Sequence, residues 1–387
     1  AGWSFCVKSA GGAQESMEYK VRLLDAAENE RTKSLYQKVF TKDSPRFVDY
    51  YYRVKARENR IYAAEGQDGE ILSMLHLNPY LMRLGEQEIF GEYIVAVATD
   101  ERYRGQGMMR NVLKMALEDM RRIGEPMAFL MPAAEAIYRP FDFRYIYCQN
   151  HTSVQLEEFK KKPHLQCRAA EKKDLADLAE FSNVYLKKHF RTFAFHTEEY
   201  FETLLQEQRC QNGEVAILLD EGKIRGYFFT AFEDVPEVRE PVIAEGYETY
   251  LLPSLAKYLG SKKIRLYGFL QEMQEAEEKK PVIMARVINP ERFAPGLTAA
   301  GAVEFCFELR DDFLPENSGI YKFHADAFGG ILKKCIGERA AFTISAGTFT
   351  ALTFGCVTPQ EAGMPGEIAK LWEKVRGYGP VFLNEVV

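Results

Sequence analysis

Residues 94–110 read Ile94-Val-Ala-Val-Ala-Thr-Asp-Glu-Arg-Tyr-Arg-Gly-Gln-Gly-Met-Met-Arg110. An apolar strand runs into a basic loop with two glycines and then into the start of a helix. Gly105 and Gly107 carry no Cβ, so the backbone can turn sharply and bring its N–H groups against an anion. Arg102 and Arg104 add positive charge beside the helix N-terminus. The segment reads as a pyrophosphate cradle for a nucleotide-bearing cofactor. A Walker loop would need Gly-x-x-x-x-Gly-Lys followed by Ser or Thr, and a dinucleotide fold Gly-x-Gly-x-x-Gly with a ribose-binding acid further on. Neither pattern is present.

Arg102-x-x-Gly105-x-Gly107 after an apolar strand resembles motif A of the GNAT N-acetyltransferases, whose loop holds the pyrophosphate of acetyl-CoA. Upstream, strands are predicted at residues 19–23, 60–65, 71–80 and 89–98, with helical stretches at 29–40 and 45–58. Gln67-Asp68-Gly69 is a hairpin turn. Downstream, Met109, Val112, Leu113, Ala116, Met120 and Ile123 recur at spacings of three and four, the stripe of an amphipathic helix. Gly124 is placed to end it and Pro126 to prevent its continuation. A short buried strand follows at 127–131. The order βααβββαβ is that of GNAT domains, in which acetyl-CoA enters where the strand before the loop splays from the strand after the helix.

Gly213-Glu-Val-Ala-Ile-Leu-Leu-Asp-Glu-Gly-Lys-Ile-Arg-Gly-Tyr-Phe-Phe-Thr230 repeats the hairpin logic of residues 60–77. Residues 241–245 sit where its pre-loop strand belongs. The next stretch, Gly246-Tyr-Glu-Thr-Tyr-Leu-Leu-Pro253, has no Arg-x-x-Gly-x-Gly. A duplicated GNAT domain that has lost its anion site accounts for this, and it is expected to bind no cofactor. Residues 271–280 are strongly charged and end at Pro281, which places a domain boundary there. The remainder mixes predicted strands at 282–287, 303–309, 319–325 and 341–345 with short helices at 349–354 and 366–375. Glu316-Asn317-Ser318-Gly319 is a turn.

The fold class is therefore α/β (α+β): two tandem GNAT folds, the second degenerate, and an α+β tail. The expected divisions are an N-terminal extension or cloning remnant (1–16), a catalytic GNAT domain (17–155), a degenerate GNAT domain (156–280) and a third domain (281–387). Three parts in this order resemble the enhanced intracellular survival (Eis) family of acetyltransferases, whose third part is similar to sterol carrier proteins. The matching stretches, besides the loop, are Ala136-Ile-Tyr-Arg-Pro-Phe-Asp-Phe143, Met284-Ala-Arg-Val-Ile-Asn-Pro290 and Ser345-Ala-Gly-Thr-Phe-Thr-Ala-Leu-Thr-Phe-Gly355.

The resemblance implies roles for particular residues. The backbone amides of Val95 and Val97 would orient the pantetheine and acetyl arms, and Arg102, Arg104, Gly105, Gln106, Gly107 and Met108 would hold the pyrophosphate. Tyr138 falls on the family's general acid, with Asp142 where the family has glycine. The family's base is the terminal carboxylate of the chain, here that of Val387. Acyl transfer to an amine needs the amine neutral, the oxyanion stabilised and the leaving thiolate protonated. A phenol with an ordinary pKa near 10 suits the last task. An α-carboxylate is a poor base in water, and partial burial would raise its pKa.

Asp43, Asp49, Glu92 and Glu385 are candidates for binding a cationic acceptor, with Phe47, Tyr50, Tyr51 and Ile94 as its apolar wall. The implied acceptor is a small-molecule amine, aminoglycosides among the candidates. A lysine or peptide acetyltransferase and a non-catalytic lipid-binding scaffold are the competing readings. Family resemblance also implies a homo-hexamer.

Composition sets the remaining bounds. At 387 residues the chain should form two or three domains, and its 47% hydrophobic and 27% charged content is that of a globular protein. Cys6, Cys148, Cys167, Cys210, Cys306, Cys335 and Cys356 form no metal-binding or disulfide pattern, so no metal is expected and a cytoplasmic location is. The net charge of -6 disfavours nucleic acid, and no apolar run is long enough to span a membrane.

Overall fold

The computed structural model describes residues 3–7, 17–232, 234–268 and 277–383, so Glu385 and Val387 lie outside the described residues. Contacts divide the chain into two compact units, residues 1–146, 191–194 and 283–387 in one and residues 147–190 and 195–282 in the other.

In the first unit, strands β1 (Trp3–Val7), β2 (Met17–Leu23), β3 (Arg60–Gly66), β4 (Ile71–Leu84), β5 (Gln87–Thr99) and β6 (Met127–Leu130) lie in sequence order in one sheet. All neighbouring pairs are antiparallel except β5 with β6. Helices α1 (Lys33–Val39) and α2 (Pro45–Arg53) precede β3, and α3 (Met108–Ile123) joins β5 to β6. Residues 71–78 of β4 are buried at every position because helices cover both faces of the sheet. Leu75 and Leu77 pack in the core with α3, while His76 stacks on Tyr51 of α2.

Local chemistry sets the helix limits. Ser44 caps α2, accepting from the Phe47 amide at 3.1 Å with Pro45 in the first turn. Helix α3 begins after Gly107 and ends at Gly124, both in the left-handed region, with φ of 79° and 86°. Its buried face is Met108, Val112, Leu113, Met115, Ala116, Leu117 and Met120. Ile123, expected on that stripe, is exposed: it belongs to the last turn, beyond the edge of the sheet. The expected helix 29–40 is two pieces, a 3-10 turn at Ala26–Thr32 and then α1. Arg22 ties the 3-10 turn to β3, with Glu28 and Glu65 each at 2.7 Å.

The C-terminal part of this unit opens at Ile283, within the strand Glu278–Val287, and extends the sheet beyond β6 with Met284 opposite Leu130 and Val287 opposite Met127. It continues as a four-stranded sheet in the order Gly329–Lys334, Gly319–Asp326, Val303–Arg310, Thr343–Ser345, with helices Ala346–Thr353 and Gly366–Trp372. Its core is a set of touching rings. Phe307 stacks on Phe349 at 5.5 Å and Phe323 lies 5.7 Å from Trp372. Each fully buried ring stabilises the fold by about 1.5–3 kcal/mol.

The second unit has strands Gln166–Ala169, Gly213–Asp220, Lys223–Ala231, Glu237–Ile243 and Lys263–Gly268, with helices Leu175–His189, Glu198–Cys210 and Leu251–Leu259. The strand expected at 241–245 starts earlier, at Glu237, and Pro241 lies inside it. Glu237–Arg239 pair in parallel with residues 265–267, and Glu240 then takes a positive φ of 48°. Pro241, immediately after this kink, has no N–H to offer a ligand.

Candidate active site

The parallel pairing of β5 with β6 is confined to Glu92, Tyr93 and Ile94, opposite Ala128, Phe129 and Leu130. Beyond Ile94 the strands part. On the other edge of β5 the register with β4 slips between Met74 and His76, and Ala96 is forced to a φ of 50°. Left-handed backbone at alanine costs about 1–3 kcal/mol, strain that clusters at ligand sites. The bulge and the splay together turn the backbone around Val95 and Val97 toward an open cleft.

The cleft leads to the loop. Gly105 and Gly107 have φ of 78° and 79°, and a methyl group built on either would meet no atom within 4 Å. Positive φ, and not crowding, selects glycine here. Among the described residues the amides of residues 105–108 donate to no backbone acceptor, which leaves four N–H groups at the start of α3 for an anion. Gln106 is exposed and reaches the Arg102 carbonyl at 3.5 Å, whereas the Met108 side chain is buried in the core and only its backbone faces the loop.

The two loop arginines differ. Arg102 is gripped by its neighbours, with Nε at 3.0 Å from Asp100 Oδ1, and Nη2 at 2.9 Å from Asp100 Oδ2 and 2.6 Å from Glu70. Lys38 reaches the same buried Asp100 at 2.5 Å, and these cations hold its carboxyl far below the usual range. Arg104 donates only to the Thr99 carbonyl, at 3.3 Å, and has no carboxylate partner among the described residues. Arg104 is thus the cation available to a phosphate, and Arg102 a brace for the loop. Replacing Arg104 with alanine is expected to raise the KM for acetyl-CoA by about tenfold with kcat little changed, the loss of one charge-assisted contact. The Arg102→Ala protein is expected instead to show a lowered melting temperature, because Asp100 loses its bidentate partner. Equal KM effects for the two variants would contradict this division.

Tyr138 ends a one-turn helix, α4 (Glu135–Tyr138), four residues after β6. Its ring packs edge-on to Phe143 at 6.0 Å within the core that holds Met108 and Leu130, side chains from both borders of the cleft. The hydroxyl has no hydrogen-bond partner among the described residues, and burial pushes its pKa up to about 12. Asp142, where glycine is usual in the resembled family, takes φ 63° and preserves the turn, as aspartate can. Burial pushes the Asp142 carboxyl up, opposed by Arg286, Arg144 and the Gly347 amide.

The expected acceptor residues do not gather in one place. Phe47, Tyr50 and Tyr51 are buried on α2, and Asp43 accepts from the Tyr36 hydroxyl at 2.7 Å on the same side of the sheet. Asp49 is exposed and paired with Lys33 at 2.9 Å. Ile94 and Glu92 turn to the opposite face: Ile94 is buried with α3, and Glu92 accepts from Arg60 at 2.8 Å. The reason is strand alternation, since Ile94 lies opposite Leu77 in register and His76 points the other way. Arg60 also holds Glu125 at 2.6 Å, whose carboxyl burial pushes up to about 8.

Sequence reasoning missed His76 and Asn78, which share the α2 face of β4. The Tyr51 hydroxyl lies 2.9 Å from His76 Nδ1, and burial keeps the imidazole neutral, with a pKa pushed down to about 3. His76 Nε2 and both carboxamide atoms of Asn78 are buried without a partner among the described residues. Only the polar interruption of an otherwise apolar strand signalled them.

A bulged strand parting from its parallel neighbour, with a glycine-containing loop and helix between them, is the arrangement of a GNAT fold. Residues 20–146 match the acetyltransferase (GNAT) domain family, and residues 291–376 match the sterol carrier protein domain family. The chain thus carries both domains, and the first implies acetyl-CoA as cosubstrate. No curated protein sequence matches the chain. Among solved structures, a probable N-acyltransferase from Enterococcus faecalis V583 superposes with a TM-score of 0.76 at 17% identity, over 93% of this chain and 94% of that one. A GCN5-related N-acetyltransferase from Kribbella flavida gives 0.75 at 16%, over 94% and 98%. Eis1 from Mycobacterium abscessus gives 0.68 at 13%, over 93% and 97%. The chain therefore shares its fold across nearly the whole length of these proteins.

Proposed function

We propose that the protein transfers the acetyl group of acetyl-CoA to an amine of a cationic small molecule, aminoglycosides among the candidates, in a direct transfer. The observation that carries this is the cleft opened by the Ala96 bulge and ended by the free amides of residues 105–108. Acetyl-CoA supplies the activated thioester. The chain's own groups do the rest: the loop amides and Arg104 bind the pyrophosphate, and the backbone at Val95 and Val97 orients the acyl arm. Tyr138 donates its proton to the departing thiolate. Its raised pKa keeps the phenol protonated at neutral pH, and because this makes it a weaker acid than the thiol, the transfer to sulfur runs uphill and the phenolate takes its proton back from solvent.

The proposed base is the carboxylate of Val387. In support, the strand Val381–Phe382 runs parallel to Thr192–Ala194, which pairs antiparallel with residues 82–84 of β4. The chain is therefore heading along β4 from Leu84 toward Asn78 as it leaves the described residues. Four further residues span at most about 14 Å, roughly the rise of four residues of β4. The packed aromatic core of the third domain supports a role in delivering this terminus over carriage of a lipid.

The test is thiol release from acetyl-CoA with aminoglycosides, polyamines and lysine peptides, using protein with a native C-terminus. Turnover with polycationic small molecules and none with peptides is expected, and the reverse pattern would favour a peptide acetyltransferase. Appending residues after Val387 is expected to abolish activity, and a fully active extended protein would exclude the terminal carboxylate as base.

A further inference from the structure

The sharp turn after Tyr138 is held from outside its own domain. Asp142 closes that turn at φ 63°, where glycine would sit without strain. Its carboxylate packs against Gly347 and lies 3.3 Å from Arg144 Nη2. Gly347 is the second residue of the helix Ala346–Thr353 in the sterol carrier-like domain. The cap of that helix, Ser345, accepts from the Thr348 amide at 3.0 Å, and Asp142 packs beside the same first turn.

The fit is tight from the other side as well. A methyl group built on Gly347 would lie 2.7 Å from Asp142 Oδ1, 2.8 Å from the Asp142 carbonyl oxygen and 2.8 Å from Arg144 Cζ. No real side chain tolerates such distances. One residue earlier, the Phe141 carbonyl accepts from Arg286 at 2.6 Å, and the Phe141 ring packs on Phe313 at 4.7 Å. Three consecutive features of the turn thus rest on the C-terminal domain: the Phe141 carbonyl, the Phe141 ring and the Asp142 carboxylate.

We infer that Asp142 and Gly347 form a positioning contact through which the sterol carrier-like domain fixes the direction of the Tyr138 phenol. This rests on the proposed role of Tyr138 as the proton donor. The anchor is the close packing of the carboxylate against Gly347 and its pairing with Arg144. Asp142 touches no reacting atom and acts through Tyr138, three residues of rigid turn away.

The test compares Asp142→Gly, Asp142→Asn and Gly347→Ala, each in the parent chain and in a Tyr138→Phe background, with neomycin as acceptor. Glycine is at ease at this φ, so the Asp142→Gly protein keeps its turn and loses only the anchor. Its kcat is expected to fall on the order of 10- to 100-fold, as misplaced catalytic groups do, with the KM for acetyl-CoA unchanged. Asparagine tolerates the same φ and fills the same volume against Gly347, so it should restore most of the rate. Gly347→Ala, made in another domain, should reproduce the loss. In the Tyr138→Phe background all three effects should vanish, since groups acting as one unit are not additive.

A second readout needs no acceptor. 3-Fluorotyrosine at position 138 should give one 19F resonance in the parent, and a broadened or split one in Asp142→Gly and Gly347→Ala. An Asp142→Gly protein with parental kcat and an unaltered 19F line would overturn the inference, as would equal losses in both backgrounds. If Tyr138→Phe alone leaves kcat unchanged, it is the proton-donor reading that fails, and the inference falls with it.

Discussion

The Asp311→Ala protein is expected to be about 3–5 kcal/mol less stable than the parent, and to unfold at markedly lower urea concentration. Asp311 and Arg286 form an ion pair at 2.5 Å in which neither side chain has any exposure. The aspartate also accepts from the amides of Phe313 and Leu314, at 3.1 and 2.8 Å, and from the Asn317 side chain at 2.9 Å. Removing it strands a buried guanidinium and two buried N–H groups at once, and each unsatisfied group carries its full desolvation cost. The penalty comes from leaving one partner alone, not from the net worth of the pair. The combined Arg286→Met and Asp311→Leu protein should recover only the share due to the stranded guanidinium, because the Phe313 and Leu314 amides stay unsatisfied and the Phe141 carbonyl loses its donor. A single Asp311→Ala protein that unfolds at the parental midpoint would show that water already reaches Arg286.

That pair also shows what can be read from a chain of letters and what cannot. Met284-Ala-Arg-Val-Ile-Asn-Pro stood out as a motif, but nothing in it names the partner, since Asp311 is 25 residues on and the Phe141 carbonyl 145 residues back. The cofactor loop was legible because its chemistry is local: two glycines, their φ values and the helix that follows lie within a few residues. Helix α3 and the hairpins were legible for the same reason, through periods of 3.6 and 2. The Ala96 bulge was not, because alanine carries no signal for a left-handed backbone and the slip is set by pairing with β4. For Glu92 and Ile94 the sequence shows proximity to the loop but not the face of the sheet, which is the one opposite α2. His76 and Asn78 needed the register of β4 and the position of α2 before their face meant anything.

Replacing Tyr138 with phenylalanine is expected to lower kcat by about 10²- to 10⁴-fold, the usual worth of a general acid, with the KM for acetyl-CoA little changed. The split follows from the geometry. The proposed pyrophosphate site uses the amides of residues 105–108 and Arg104, none of which hydrogen-bonds to the Tyr138 hydroxyl, so binding there should not depend on the phenol. Phenylalanine keeps the ring against Phe143 and removes only the buried hydroxyl, so the fold should hold. The pH dependence gives a second check. An ordinary phenol ionises near pH 10, and a general acid of that kind would lose rate as pH approaches that value. Burial pushes Tyr138 up to about 12, which favours the neutral, proton-bearing form. The parent enzyme should therefore hold its kcat from about pH 8 to about pH 10, where a solvent-exposed tyrosine would already be failing. A decline centred near pH 10 would mean that the phenol is hydrated in the working enzyme. A Tyr138→Phe protein of parental kcat would mean that the thiolate takes its proton from water.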